Sequence, residues 1–205
     1  MFYALVLAAA LNTAPQPTFC GRPQSRADGI ICADAELRAL ALASVRVSLD
    51  VAASHHIEWY AVGSLEWPAA LDDCATAECV RAAYEERLSD LFEQYEVRLP
   101  RAHHYRGSAG KHGWSGMIVD DLGGGWALIW MQAGYNNSRP DNPQPDTTCS
   151  AVGVTQIIEG KAHLGEPSGG LQLERIGASQ WKVTPTGAFD CGNRVHLDGI
   201  YRRRG

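Results

Sequence analysis

The strongest signal for the fold of this chain is the stretch Cys74-Ala-Thr-Ala-Glu-Cys-Val-Arg-Ala-Ala-Tyr-Glu-Glu-Arg-Leu-Ser-Asp-Leu-Phe-Glu-Gln-Tyr95. Its apolar side chains recur at steps of three and four residues, at Val80, Tyr84, Leu88, Leu91 and Tyr95. That spacing places them on one stripe of a helix. Thr76 is suited to cap this helix, and the helix dipole favours Glu78 in its first turn. The stripe needs other helices to cover it, so the stretch predicts a bundle.

Two segments upstream supply candidate covering helices, and a polar loop between Cys20 and Cys32 is expected before them. Asp34 is suited to cap a helix over residues 34–53, with one apolar stripe at Leu37, Leu40, Val47 and Val51 and a second at Leu42, Val45 and Leu49. Two stripes predict that this helix is well buried. A further helix is expected over residues 55–73, kinked or split near Pro68 because an interior proline costs about 3 kcal/mol. We expect an up-down-up arrangement.

Six cysteines indicate disulfides in an exported protein. The bundle brings Cys20, Cys32, Cys74 and Cys79 to one end, which allows disulfides without fixing their pairing, since six cysteines have about 15 connectivities. We favour Cys20–Cys32 and Cys74–Cys79 there, with Cys149 and Cys191 as the third pair. Zinc is the weaker interpretation, because no second Cys pair or His pair has the matching spacing.

Charge divides the chain. Its formal net charge of -5 argues against nucleic acid as the main partner. Residues 20–99 hold 7 Lys or Arg against 14 Asp or Glu, and residues 100–205 hold 11 against 9. The first part is therefore an acidic body and the second is nearly neutral.

The N-terminal residues are apolar and rich in alanine, and Ala8-Ala9-Ala10 fits a signal-peptidase site. We interpret residues 1–14 as a signal peptide, although the region before the apolar run lacks Lys or Arg. The run is too short to span a bilayer as a helix. The expected product is periplasmic or secreted and is not membrane-spanning.

Beyond Pro100 the pattern changes to short alternating runs separated by glycine turns. The runs are 114–120, 126–133, 151–158, 171–176, 181–185 and 195–202, and they predict an antiparallel meander. Residues 126–133 are apolar on both faces, which predicts a central or covered strand. The expected fold is α+β: an N-terminal disulfide-stapled helical bundle over residues 19–98, followed by a small antiparallel β-meander or barrel-like domain over residues 102–205.

Residues 19 to about 95 resemble the N-terminal domain of the lysozyme inhibitor LprI family. The resemblance is carried by Phe19-Cys20, by Ile31-Cys32-x-Asp34-x-x-Leu37-x-x-Leu40, by Trp67 seven residues before Cys74, and by Cys79-Val80-x-x-x-Tyr84-x-x-Arg87-Leu88. It implies a small cysteine-stapled helical domain of an exported protein that inhibits lysozyme. The partner so implied is a basic c-type lysozyme, to which an acidic bundle would be steered.

No catalytic constellation is predicted. Gly113-Trp-Ser-Gly-Met117 begins like a nucleophile elbow but lacks the last glycine, and we interpret it as the start of a strand. His55 and His56 are neighbours that point about 100° apart on a helix, so they are poorly placed to share a metal ion. We expect no catalytic residue, cofactor or metal. His103 and His104 are interpreted as linker residues, and Arg202-Arg203-Arg204 as a solvated tail.

The aromatic residues Trp59, Tyr60 and Trp67 lie near one another in sequence. If exposed they would form a partner-binding patch, whereas the alternative is that they pack between the bundle and the β-domain. The leading hypothesis is therefore an exported, non-enzymatic binding protein that inhibits lysozyme. The alternative is a structural module of the cell envelope, or one that binds a small ligand or glycan in its β-domain.

Overall fold

The computed structural model describes residues 16–55, 71–95, 97–107, 113–135, 147–166, 169–187, 189, 191 and 195–205. The chain forms two compact units. The first takes in residues up to Leu99 together with Asp121–Ala127, and the second takes in Pro100–Asp120 and Leu128–Gly205.

The first unit is built on three described helices, α1 (Arg26–Ala33), α2 (Ala35–His55) and α3 (Ala77–Gln94). A short 3-10 turn, Thr18–Gly21, precedes them. Helices α2 and α3 pack against each other, and α1 packs against both. Their buried side chains include Leu37, Leu40, Val47 and Val51 on α2 and Val80, Tyr84, Leu88, Leu91 and Phe92 on α3. The first apolar stripe of α2 and the apolar stripe of α3, apart from half-buried Tyr95, therefore supply the core of the unit.

Local side chains set where these helices begin. Ser25 and Asp28 form a capping box at the start of α1, each bonding the other's backbone N–H. Asp34 accepts hydrogen bonds from the backbone N–H groups of Glu36 and Leu37, so it is the N-cap of α2. The same residue is the C-cap of α1. The disulfide Cys20–Cys32 joins the 3-10 turn to the last turn of α1.

The first unit also contains a β-hairpin tip, Asp121–Ala127. Arg46 on α2 donates to the Asp121 carbonyl at 2.7 Å. About one turn further along α2, the Asp50 carboxylate accepts from the backbone N–H groups of Arg98 and Leu99. These bonds fix the segment after α3, where Leu99 has a positive φ of 36°.

Eight antiparallel strands form one sheet with the order β4-β3-β2-β1-β8-β7-β6-β5. The strands are β1 (His103–Gly107), β2 (Gly113–Gly123), β3 (Trp126–Tyr135), β4 (Thr147–Gln156), β5 (Lys161–Glu166), β6 (Gly169–Gly177), β7 (Gln180–Gly187) and β8 (Gly199–Arg203). Each strand pairs with the next along the chain except β4 and β5, which are the two outer strands, and β8 pairs with β1. The outer strands β4 and β5 lie close together, so the sheet is nearly closed and barrel-like.

One face of the second unit's strands is packed with large apolar side chains. Trp181 lies opposite Tyr201, and Tyr105 lies opposite Met117. All four are buried, as are Leu171, Leu173 and Val183. Side chains thus fill the space between these strands, as is common in eight-stranded barrels.

A tight contact fixes Tyr201 at one end of this core. Its hydroxyl donates to the Leu197 carbonyl at 3.0 Å and also hydrogen-bonds the Ser115 side chain. A Cβ atom at Gly107 would come within 3.0 Å of the Tyr201 ring and still closer to the Ser115 hydroxyl, so only glycine fits there. The disulfide Cys149–Cys191 ties the start of β4 to the segment before β8.

The predicted fold, a helical bundle followed by a small β-domain, is wrong. The sheet is the dominant element, with eight strands rather than six. The helices do not form an independent bundle, because the hairpin tip Asp121–Ala127 belongs to their unit and bonds α2. The second helix of the predicted bundle, over residues 55–73, lies almost wholly outside the described residues.

Three local predictions also need correction. Val45 and Leu49 on α2 are 57% and 53% exposed, so its second stripe is not buried. The segment between Cys20 and Cys32, expected as a loop, holds α1. Arg203, interpreted as part of a solvated tail, belongs to β8, which also contains Arg202 from the expected run 195–202. The strand expected over 126–133 is confirmed, since neighbouring residues Leu128 and Ile129 are both buried and β3 lies inside the sheet.

Candidate functional site

The outward face of α3 is the most distinctive polar surface of the first unit. Glu78, Glu86, Asp90 and Glu93 are all exposed there. At about 100° per residue they fall within a sector of about 120°, opposite the buried stripe. We name this surface, with Ala82 between Glu78 and Glu86, the acidic stripe.

The N-terminus of the acidic stripe is held by a cap and a covalent bond. The Thr76 hydroxyl accepts from the backbone N–H of Cys79 at 3.3 Å, and a disulfide joins Cys74 to Cys79 across the cap. Backbone and Thr76 hydrogen bonds lower the pKa of the Glu78 carboxyl. Glu78 is therefore a fixed negative charge at neutral pH.

The two arginines of α3 offset the charge of this surface only in part. Arg81 is half-buried and forms a bidentate ion pair with Glu36 on α2, with N–O distances of 3.1 and 3.2 Å. Its pKa is raised, chiefly by this hydrogen bond. Arg87 is half-buried, and desolvation lowers its pKa. Arg81 also attracts the Glu78 carboxylate, and Arg87 attracts that of Asp90, so the four carboxylates of the acidic stripe are partly compensated but keep a net negative charge.

Like charges four residues apart on a helix destabilise it by a few tenths of a kcal/mol. Glu86 and Asp90 have this spacing, and Glu93 lies three residues beyond Asp90. Asp72 and Asp73, also exposed, add charge just before the helix. The arrangement is suited to attract a cationic surface, because complementary charge steers association and fixes orientation.

The predicted chemistry-bearing residues are dispersed among the described residues. Ser115 lies buried in β2 and bonds Tyr201, which confirms a strand rather than a nucleophile elbow. His103 and His104, expected in a linker, are the first residues of β1. Within the described ranges, no three His, Cys, Asp or Glu residues are grouped so that they could hold a metal ion.

The six candidate cysteines form Cys20–Cys32, Cys74–Cys79 and Cys149–Cys191, the pairings that the sequence analysis favoured. The expected aromatic patch, Trp59, Tyr60 and Trp67, lies outside the described residues. Sequence reasoning missed the acidic stripe as a site, although its signal is visible: acidic residues recur on the sector opposite the apolar stripe.

Three disulfides are consistent with an exported protein. Among the described helices, none combines the length and apolar character needed to cross a membrane. The resemblance to the LprI family stays a prediction from the residues quoted above. Comparison with protein-family models, with curated proteins and with solved structures gives no match to this chain.

Proposed function

We propose that the protein is an exported, non-enzymatic binding protein whose acidic stripe binds a basic protein, and that a c-type lysozyme is this partner. The observation that carries the proposal is the run of four exposed carboxylates along α3, which outnumber the two half-buried arginines of the same helix. The choice of lysozyme rests on the resemblance to the LprI family.

Two further features support it. The Cys74–Cys79 disulfide and the Thr76 cap fix the start of α3, so the helix is ordered before a partner arrives. Preorganisation lowers the entropy lost on binding. Export, with removal of a signal peptide over residues 1–14, would bring the protein to the compartment in which lysozymes attack the cell wall.

A lysis assay tests the proposal. Oxidised full-length protein should slow the lysis of bacterial cells by a basic c-type lysozyme at micromolar concentration. The variant Glu86→Lys/Asp90→Lys should lose inhibition by about tenfold or more, because it places like charge against the partner. Glu159→Lys/Glu174→Lys changes the net charge equally in the second unit and should inhibit as the wild type does.

The outcome that would overturn the proposal is the absence of inhibition by wild-type protein with its disulfides intact. Equal loss in both variants would also count against it, because the effect would then follow net charge rather than the acidic stripe.

The alternative, a module that holds a small ligand or glycan in its sheet, draws on the up-and-down strand order, which in other proteins can enclose a ligand. It is supported less well, because the buried Trp181, Tyr201 and Met117 occupy space between the strands. A shift in the thermal unfolding midpoint with cell-wall oligosaccharides would favour it.

A further inference from the structure

Two large apolar side chains are displayed at neighbouring hairpin tips of the second unit. Ile158, in the β4–β5 turn, is 57% exposed, and Ile176, at the end of β6, is 47% exposed. The backbone N–H of Arg175 donates to the Gly160 carbonyl at 2.7 Å, which joins the two tips. Exposed isoleucines are ordinary when scattered singly, but these two lie together.

Specific backbone geometry holds each isoleucine at its tip. Ile158 and Lys161 exchange two backbone hydrogen bonds of 2.9 and 2.8 Å around Glu159 and Gly160, which have φ values of 51° and 78°. This is a tight turn of the kind that suits a twisted hairpin.

Ile176 lies at a β-bulge. The pairing of Arg175 with Trp181 shifts by one residue to that of Gly177 with Gln180, which leaves Ile176 as the extra residue. Bulges redirect a side chain away from the regular pattern of a sheet. The structure thus places both isoleucines in solvent on ordered backbone rather than in the core.

Basic side chains surround the tips. Exposed Lys or Arg residues outnumber exposed carboxylates by six to two in residues 158–161, 174–182 and 202–204. The basic residues are Lys161, Arg175, Lys182, Arg202, Arg203 and Arg204, and the acidic ones are Glu159 and Glu174. The Arg203 backbone N–H donates to the Ser179 carbonyl at 2.9 Å, which brings the end of β8 to the β6–β7 turn. We call these three ranges, with their two isoleucines, the basic tip surface.

We propose that the basic tip surface docks the protein on an anionic phospholipid surface, with Ile158 and Ile176 entering the headgroup boundary and the surrounding cations resting on lipid phosphates. Anionic leaflets attract clustered Lys and Arg, and apolar side chains that enter the interface add affinity. The two isoleucines lie at separate tips rather than lining a groove, which fits a flat, deformable surface better than a peptide.

Vesicle sedimentation tests this inference with the full-length oxidised protein. Vesicles of phosphatidylglycerol and phosphatidylcholine should sediment the protein at about 0.1 M salt, whereas phosphatidylcholine vesicles should not, and about 0.5 M salt should weaken binding. Arg203→Glu/Arg204→Glu should reduce the vesicle affinity by about tenfold or more. Ile158→Ser/Ile176→Ser should reduce it by about tenfold.

The matched control is Val45→Ser/Leu49→Ser, which removes two equally exposed apolar side chains from α2 and should leave vesicle affinity unchanged. Circular dichroism and thermal unfolding of each variant establish that it is folded. The inference is overturned if wild-type protein does not sediment with anionic vesicles. It is also overturned if Ile158→Ser/Ile176→Ser binds vesicles as tightly as the wild type and the control do. The isoleucines would then add no affinity, and the surface would bind polyanions by charge alone.

Discussion

The helical unit and the sheet unit differ in charge and in what holds them together. The acidic stripe of α3 presents four carboxylates, whereas the basic tip surface carries mainly Lys and Arg. In the helical unit the disulfides close short stretches, with separations of 12 and 5 residues, whereas Cys149–Cys191 spans 42. The net charge of -5 is a sum over the whole chain and does not show this difference between the units. The two units therefore present exposed surfaces of opposite charge.

The largest expected effect comes from the core of the sheet. Trp181 is buried opposite Tyr201, and the Arg175 guanidinium lies 4.8 Å from the centre of its ring. Trp181→Ala should lower the free energy of unfolding by about 3–5 kcal/mol, because it leaves a large cavity. Trp114→Ala, at a tryptophan that is 45% exposed, should cost less than half as much. Urea unfolding measures both, and equal costs would contradict the burial described for Trp181.

The disulfides of the two units should contribute different amounts to the free energy of unfolding. Cys149→Ser/Cys191→Ser opens a loop of 42 residues and should cost about 4 kcal/mol. Cys74→Ser/Cys79→Ser opens a loop of 5 residues and should cost about 2 kcal/mol. Chemical denaturation of the two double variants compares them directly. A larger cost for the short loop would show that strain or residual structure, rather than loop length, sets the effect.

Alkaline pH should weaken the sheet through Tyr201. Burial raises the pKa of its hydroxyl to about 12, above the value of about 10 in an unfolded chain. The neutral hydroxyl therefore contributes stability that is fully present below about pH 10 and is lost as pH rises through about 12, by up to roughly 2–3 kcal/mol.

Tyr201→Phe is the matched variant for this prediction. It should be less stable than the wild type near neutral pH by about 1 kcal/mol, since the Leu197 carbonyl loses its donor. Its stability should also fall less steeply between pH 10 and 12. Parallel slopes for the two proteins, measured by urea unfolding at each pH, would show that Tyr201 does not carry this dependence.

The smallest effect is expected at the α2–α3 ion pair. Arg81→Ala should lower stability by about 0.5–1 kcal/mol, because the pair with Glu36 is partly exposed and screened by salt. A double-mutant cycle with Glu36→Gln, read by thermal unfolding at low and high salt, isolates the pairwise energy. A coupling energy of zero at low salt would show that the bidentate geometry adds nothing to stability.

Much of the helical unit could be predicted from the sequence because its signals are local. The apolar stripe of α3 and the Asp34 cap predicted α2 and α3 to within two residues at the described boundaries. Helix α1 was missed although Ser25 and Asp28 form a capping box. Its apolar residues are few, so the segment lacks a clear apolar stripe and its sequence predicts a loop between two cysteines.

The extent of the sheet could not be predicted because two of its strands carry little apolar pattern. Strand β1 has Tyr105 as its one large apolar residue, and β5 has Ala162 and Leu164. Their place in the sheet comes from pairing with distant strands, such as β1 with β8. Val195 and Leu197, by contrast, have the pattern of strand residues but are buried before β8 begins.

The two surfaces also differ in how far the sequence predicts them. The residues of the acidic stripe lie on one helix, so their spacing is visible in the sequence. The basic tip surface arises only when β6, β8 and the β4–β5 turn come together in the fold.

Equilibrium binding tests the assignment of the acidic stripe most directly. Titration calorimetry of the oxidised full-length protein with a basic c-type lysozyme, at about 0.05 M and 0.3 M salt, measures affinity without relying on lysis. We predict a saturable complex that weakens at the higher salt and is lost in Glu86→Lys/Asp90→Lys but kept in Glu159→Lys/Glu174→Lys. No heat of binding from the wild type, or unchanged binding by Glu86→Lys/Asp90→Lys, would contradict the account.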